Sequence, residues 1–137
     1  MTTEMTKETP LDVMQKLVHE SSKAHGWYTC QDCLGNEGGY CQSCKGTRVV
    51  IRNIPEMLAL IHSEVSEALE DYRNQRLPLD QYTMHDDKPE GFGVELADIV
   101  IRVMDLAEYL SIDLAEMIVL KYRYQLTRPH RHGGKLC

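Results

Sequence analysis

Glu64-x-x-Glu67 and Glu95-x-x-Asp98 fall in the two most helix-like stretches of the sequence. Side chains three apart on a helix share a face, so each pair can aim two carboxylates at one point, and two facing helices can aim four. Such a cluster repels itself unless cations sit in it. The hard cation suited to oxygen ligands is Mg²⁺, whose usual anionic companion is a phosphate chain. Metal-dependent phosphate chemistry is therefore the first expectation.

A second constellation is Cys30, Cys33, Cys41 and Cys44, spaced C-x₂-C-x₇-C-x₂-C. In a reducing compartment this pattern is a metal site before it is a disulfide framework. Two C-x₂-C hairpins present four thiolates to one tetrahedral Zn²⁺, and a shell closed by four cysteines stabilises rather than catalyses. The intervening LGNEGGY segment is short for a zinc ribbon, but Gly35, Gly38 and Gly39 allow tight turns. Cys137 reads as a free terminal thiol.

These groups need elements to hold them. Residues 1–8 are polar. Thr9-Pro10 reads as an N-cap and first helical residue, and Leu11, Met14, Leu17 and Val18 mark a helix to about Ala24 with Gly26 as its stop. The cysteine segment follows from Trp27 to Lys45, and Arg48–Arg52 is expected to close it as a strand. A second helix runs from about Asn53 to Arg76, its apolar arc formed by Met57, Leu58, Ile61, Val65, Ala68, Leu69 and Tyr72, with Glu64 at the edge. The span from Leu77 to Gly91, holding Pro78 and Pro89, reads as a loop. A third helix covers Phe92 to Leu110, and a fourth begins after Ser111–Asp113 and ends before Arg128-Pro129. The expected fold is all-α: one domain over 1–137, a four-helix bundle with a zinc-binding insertion at 27–52 between helices 1 and 2. A second copy is expected to help bury its apolar faces.

Composition bounds the partners. With 137 residues, 42% hydrophobic and 26% charged, the chain fits one ordinary globular domain. No run approaches a membrane span, and the MTTEMTKETP start lacks the pattern of a signal peptide, so a cytoplasmic location is expected. Net charge is −6, unevenly spread. No acidic residue follows Glu116, whereas Lys121, Arg123, Arg128, Arg131 and Lys135 do, so residues 1–116 carry −11. An acidic body with a basic tail suits a site holding both metal and anion. It does not suit general nucleic-acid binding, which needs a broad basic face.

An ordinary Glu-x-x-Glu is a solvated helix face. Helix three departs from that. Glu95, Asp98, Arg102, Asp105 and Tyr109 form one narrow stripe on a helix that is apolar nearly everywhere else, so the stripe is expected to be buried, and buried carboxylates need cations or protons. Ferritin-like di-iron bundles add Glu-x-x-His pairs, which neither Glu64 nor Glu95 begins, and oxygen-only ligands favour Mg²⁺ or Mn²⁺.

Glu64-x-x-Glu67, a gap of 27 residues and Glu95-x-x-Asp98 together resemble the E-x-x-E … E-x-x-D signature of the MazG-like all-α nucleoside triphosphate pyrophosphohydrolases. The stretch from Lys121 through Tyr122, Arg123, Tyr124, Gln125 and Arg128-Pro129 to Arg131-His132-Gly133-Gly134-Lys135 is similar to the K-x-x-Y-N-x-x-R-P-x-R-H-G-G-K ending of one branch, with Gln125 in place of its Asn. The resemblance spans roughly residues 10–25 and 54–135, and the cysteine segment lies outside it. It implies hydrolysis of a nucleoside or deoxynucleoside triphosphate to monophosphate and pyrophosphate. It also implies Mg²⁺ on Glu64, Glu67, Glu95 and Asp98, with Lys121, Arg128 and Lys135 on the phosphates and Tyr124 beside the nucleoside. The limited core of a four-helix chain leads to the expectation of a homodimer or homotetramer. The competing expectation is a zinc-ribbon module binding protein or nucleic acid through Lys45, Arg48 and Arg52 on an inactive scaffold.

Overall fold

The structure, a computed structural model, describes residues 5–33, 40–74 and 77–129. Helix α1 (Leu11–Ala24) leads through a 3-10 turn (Gln31–Cys33) to α2 (Ile54–Asn74). A hairpin of β1 (Thr83–His85) and β2 (Lys88–Glu90) precedes α3 (Phe92–Tyr109) and α4 (Leu114–Leu126). The described residues are mostly helical, with four α-helices and one two-stranded sheet. Helix α3 is central and packs against α2 and α1, while α4 packs on α1. None of the described helices is long and apolar enough to cross a membrane.

Local chemistry sets the helix ends. α1 starts after Pro10 with no side-chain cap; Thr9, the expected cap, instead exchanges hydrogen bonds with Thr6. It stops at Gly26, whose φ of +84° lets Gly26 N–H reach Lys23 O and Trp27 N–H reach Ser22 O, the paired bonds of a Schellman motif. Asn53 caps α2 by accepting from Glu56 N–H at 3.2 Å. Ser111 (φ +57°) ends α3 with the same paired bonds seen at α1, and Asp113 then caps α4 through Glu116 N–H at 2.9 Å. Buried Gln15 bolts this corner to α1: its Nε2 donates to Glu108 at 2.7 Å and Ile112 O at 2.8 Å, and its Oε1 accepts from Leu114 N–H at 3.3 Å.

Three expectations need correction. The Leu77–Gly91 segment is not simply a loop. Thr83 pairs with Glu90, Met84 with Pro89 and His85 with Lys88 around Asp86-Asp87, both at positive φ as in a type I′ turn. Pro89 is tolerated because in a two-stranded sheet every strand is an edge. Arg48–Arg52 forms no strand; a single Thr29–Val49 bridge joins the arms of the cysteine segment. The third correction concerns burial. Val18, Met57, Ala68, Met104 and Ala107 form a thin apolar core, whereas Leu58, Val65, Leu69 and Tyr72 of the expected α2 arc are exposed. Glu64 sits at the centre of the α2–α3 seam rather than at its edge. The four described helices leave one flank of α2 and of α3 uncovered, and their polar stripes occupy the seam.

Candidate functional site

The polar stripe of α3 faces inward. Glu95 is 8% exposed, and across the seam Glu64 is 5% exposed. Glu64, Glu95 and Asp98 each place a carboxylate oxygen within 4.8 Å of the other two. Arg102, one turn beyond Asp98, donates from Nε to Glu64 at 2.5 Å. Burial pushes the Glu95 carboxyl above its ordinary range, and the charges of Glu67, Asp98, Glu64 and Asp71 add to the push. Asp98 is raised by burial and then by Glu64, with Arg102 and Lys88 pulling the other way. Three carboxylates gathered in one seam, two of them raised, offer the oxygen ligands that a hard divalent cation takes.

Glu67 stands apart. It is exposed, and it lines a cavity of about 380 Å³ with Glu95, Asp71 and Lys88. The step of three residues turns it by roughly 60° from Glu64 and carries it one turn along α2, out of the seam and toward the hairpin. Its charge still bears on Glu95. The structure thus joins three of the four expected carboxylates and leaves the fourth in the lining of the adjoining cavity.

The four cysteines also converge. All four sulfurs lie within 4.8 Å of one another, with Cys30–Cys41 at 3.8 Å and Cys33–Cys44 at 3.5 Å, and the thiols are free. Sulfurs about 2.3 Å from a tetrahedral zinc stand about 3.8 Å apart, so the cluster fits a metal such as zinc without rearrangement. The Cys44 backbone N–H, the largest of several donors, pulls the Cys41 thiol down to about 6. Arg48 N–H points at Cys44 Sγ at 3.3 Å. The local backbone supplies the donors that thiolates need. Lys45 and Gly46 take positive φ values of 52° and 83°, turning the chain tightly enough to do so.

Lys121, Tyr124 and Arg128 cluster with one another: Lys121 Nζ lies 5.3 Å and Arg128 Cζ 5.8 Å from the Tyr124 ring centre. They sit in and just past the last turns of α4, which packs on α1, and their described contacts do not reach the carboxylates. Lys135 lies outside the described residues.

Sequence reasoning gave no role to Arg102, to Asp105, or to His19, whose Nδ1 lies 2.7 Å from Asp105 Oδ1. The signal for the first two was their place on the α3 stripe. The partners, Glu64 and His19, come from other helices and were not legible. Comparison with protein-family models, curated proteins and solved structures finds no match.

Proposed function

We propose that the chain hydrolyses a nucleoside or deoxynucleoside triphosphate between its α and β phosphates, releasing monophosphate and pyrophosphate in a reaction dependent on Mg²⁺ or Mn²⁺. The observation that carries this reading is the convergence of Glu64, Glu95 and Asp98 from two facing helices in a polar seam. The spacing of the acidic pairs and the basic tail, both similar to MazG-like pyrophosphohydrolases, support it further.

A divalent metal bound there supplies a water of lowered pKa and offsets charge on the phosphoryl oxygens. Glu64, Glu95 and Asp98 hold the metal, and Arg102 fixes the Glu64 carboxylate from the side. Glu67, exposed in the lining of the adjoining cavity, accepts the proton of the attacking water. The water oxygen bonds to the α phosphorus, the bond from that phosphorus to the bridging oxygen breaks, and pyrophosphate leaves with the electron pair. Lys121 and Arg128 meet the departing pyrophosphate, Arg128 as a bidentate partner, with Lys135 joining them and Tyr124 beside the nucleoside.

Lys121 lies on α4 and Arg128 just past its end, away from the carboxylates, so a second copy of the chain is part of the proposal. Met117, Ile118, Val119 and Leu120 of α4 are exposed, as are Val65 and Leu69 of α2 and Leu96 and Val100 of α3. Pairing copies through these faces buries apolar surface and brings a basic helix to an acidic cavity. The assembly is a homodimer or homotetramer, read by light scattering. The four-cysteine module holds a structural zinc.

A panel of nucleoside and deoxynucleoside triphosphates with Mg²⁺ or Mn²⁺, scored for pyrophosphate and monophosphate, tests the reaction. Activity toward at least one member that disappears in Asp98→Ala is expected. Full activity of a folded Asp98→Ala protein would sink the assignment.

A further inference from the structure

Beside the carboxylates lies a second cavity, of about 260 Å³, between the end of α1, the start of α2 and the middle of α3. We infer that it receives the base of the nucleotide and that the four-cysteine module exists in part to supply its outer wall. The inference rests on the pyrophosphohydrolase reading and names the subsite that reading lacks.

The placement is the first argument. Asp98 belongs both to the carboxylate trio and to the lining of this cavity, so a ligand filling it ends beside the metal position. The size is slightly below the roughly 300 Å³ at which small-molecule sites begin, which suits one nucleoside and little more.

The lining chemistry is the second. Trp27, Leu60 and Ile101 offer apolar contact to the faces of a flat ring. Arg52 and Asp105 offer a donor and an acceptor to its edge, and both are held in advance. Asp105 is anchored by His19 at 2.7 Å, and Arg52 donates to the Trp27 carbonyl at 3.0 Å while its guanidinium lies over the Tyr28 ring at 5.6 Å. A ring with apolar faces and a polar edge is a nucleobase. Trp27, with the Arg52 guanidinium 5.8 Å from its ring centre, is 62% exposed in the free chain and so keeps surface on which a base can stack.

The third argument explains the module. Trp27 and Arg52 stand at the two ends of the cysteine segment. Cys30 N–H bonds Arg48 O and Val50 N–H bonds Tyr28 O, each at 3.0 Å, so the arms carrying both wall residues are clipped together next to the cysteine cluster. Clamping the cysteines therefore sets the spacing of the wall.

Trp27 is the sole tryptophan of the chain and lines this cavity, so its fluorescence reports on binding there, with the Ser22→Leu variant to locate the signal. The zinc-loaded wild-type protein is titrated, with no Mg²⁺ or Mn²⁺ added, with the monophosphates of each common nucleoside, which as products are not turned over. Ribose 5-phosphate and pyrophosphate serve as controls. Saturable quenching by at least one nucleoside monophosphate, and by neither control, is expected. Ser22→Leu, which fills the cavity from α1, should weaken that binding about tenfold. If Ser22→Leu does not fold, calorimetry on Trp27→Ala should give the same weakening. Turnover of triphosphates without quenching by any monophosphate overturns the base subsite and leaves the hydrolytic reading standing. Quenching without turnover of any triphosphate does the reverse. Equal quenching by ribose 5-phosphate overturns recognition of the base.

Discussion

Replacing Glu95 by Gln should stabilise the metal-free protein and remove most of its response to Mg²⁺. Glu95 is 8% exposed, and its carboxylate lies within 4.8 Å of both Glu64 and Asp98. Two unit charges at that distance repel by about 3.5 kcal/mol at an effective dielectric of about 20. Two relaxations reduce the figure. Arg102 compensates Glu64, and Glu95 and Asp98, whose carboxyls are both raised, take up protons in part. A net gain of about 1–3 kcal/mol remains, because Gln keeps the shape and discards the charge. For a chain of this length that is a rise in melting temperature of roughly 4–12 °C in EDTA. Saturating Mg²⁺ should close that gap or reverse it. A ligand at a hundred times its dissociation constant adds about 2.7 kcal/mol to the wild type and far less to the variant. Thermal melts of both proteins in EDTA and in a Mg²⁺ series measure all four quantities. A variant that melts below the wild type in EDTA, or a wild type indifferent to Mg²⁺ and Mn²⁺, refutes the reasoning: the carboxylates would then be a satisfied polar network rather than a cation site.

The same cluster sets a pH dependence. Glu95 and Asp98 hold protons to higher pH in the folded chain than at their ordinary 4.5 and 3.8, so the folded state binds more protons. Their contribution is therefore present below those values and lost as pH rises through the raised ones. Melts in EDTA should show it, and Glu95→Gln combined with Asp98→Asn should flatten that part of the profile. Stripping zinc with a strong chelator, or Cys44→Ser, should lower the melting temperature more than it lowers turnover at a temperature where the chain stays folded; collapse of turnover at unchanged melting temperature would contradict a structural metal. Gln15→Leu deletes three hydrogen bonds at the α1–α3–α4 corner and strands Ile112 O and Leu114 N–H, for an expected loss of about 2–4 kcal/mol by chemical denaturation. A loss under 1 kcal/mol would show that water takes over these partners.

Much of the local structure was written in the sequence, because it depends on neighbours along the chain. Gly26, Asn53 and Asp113 end or start helices through bonds spanning only a few residues. Four cysteines in two C-x₂-C pairs reach one point because each pair turns within its own hairpin. The periodicity of α3 likewise put Glu95, Asp98, Arg102 and Asp105 on one face. The hairpin at Thr83–Glu90 was missed because Asp86-Asp87 adopts the turn without the glycine that usually advertises it. What periodicity could not decide was which face of each helix meets a neighbour. The apolar arc of α2 was expected inside, yet Val65 and Leu69 are exposed and Glu64 lies in the seam. A helical wheel ranks faces by hydrophobicity, whereas burial is decided by the partner that arrives, here the acidic face of α3 with Arg102 to pair Glu64. The same tertiary choice turned Glu67 out toward the hairpin, set α4 and its cations on α1, and opened the cavity walled by Trp27 and Arg52 beside Asp98.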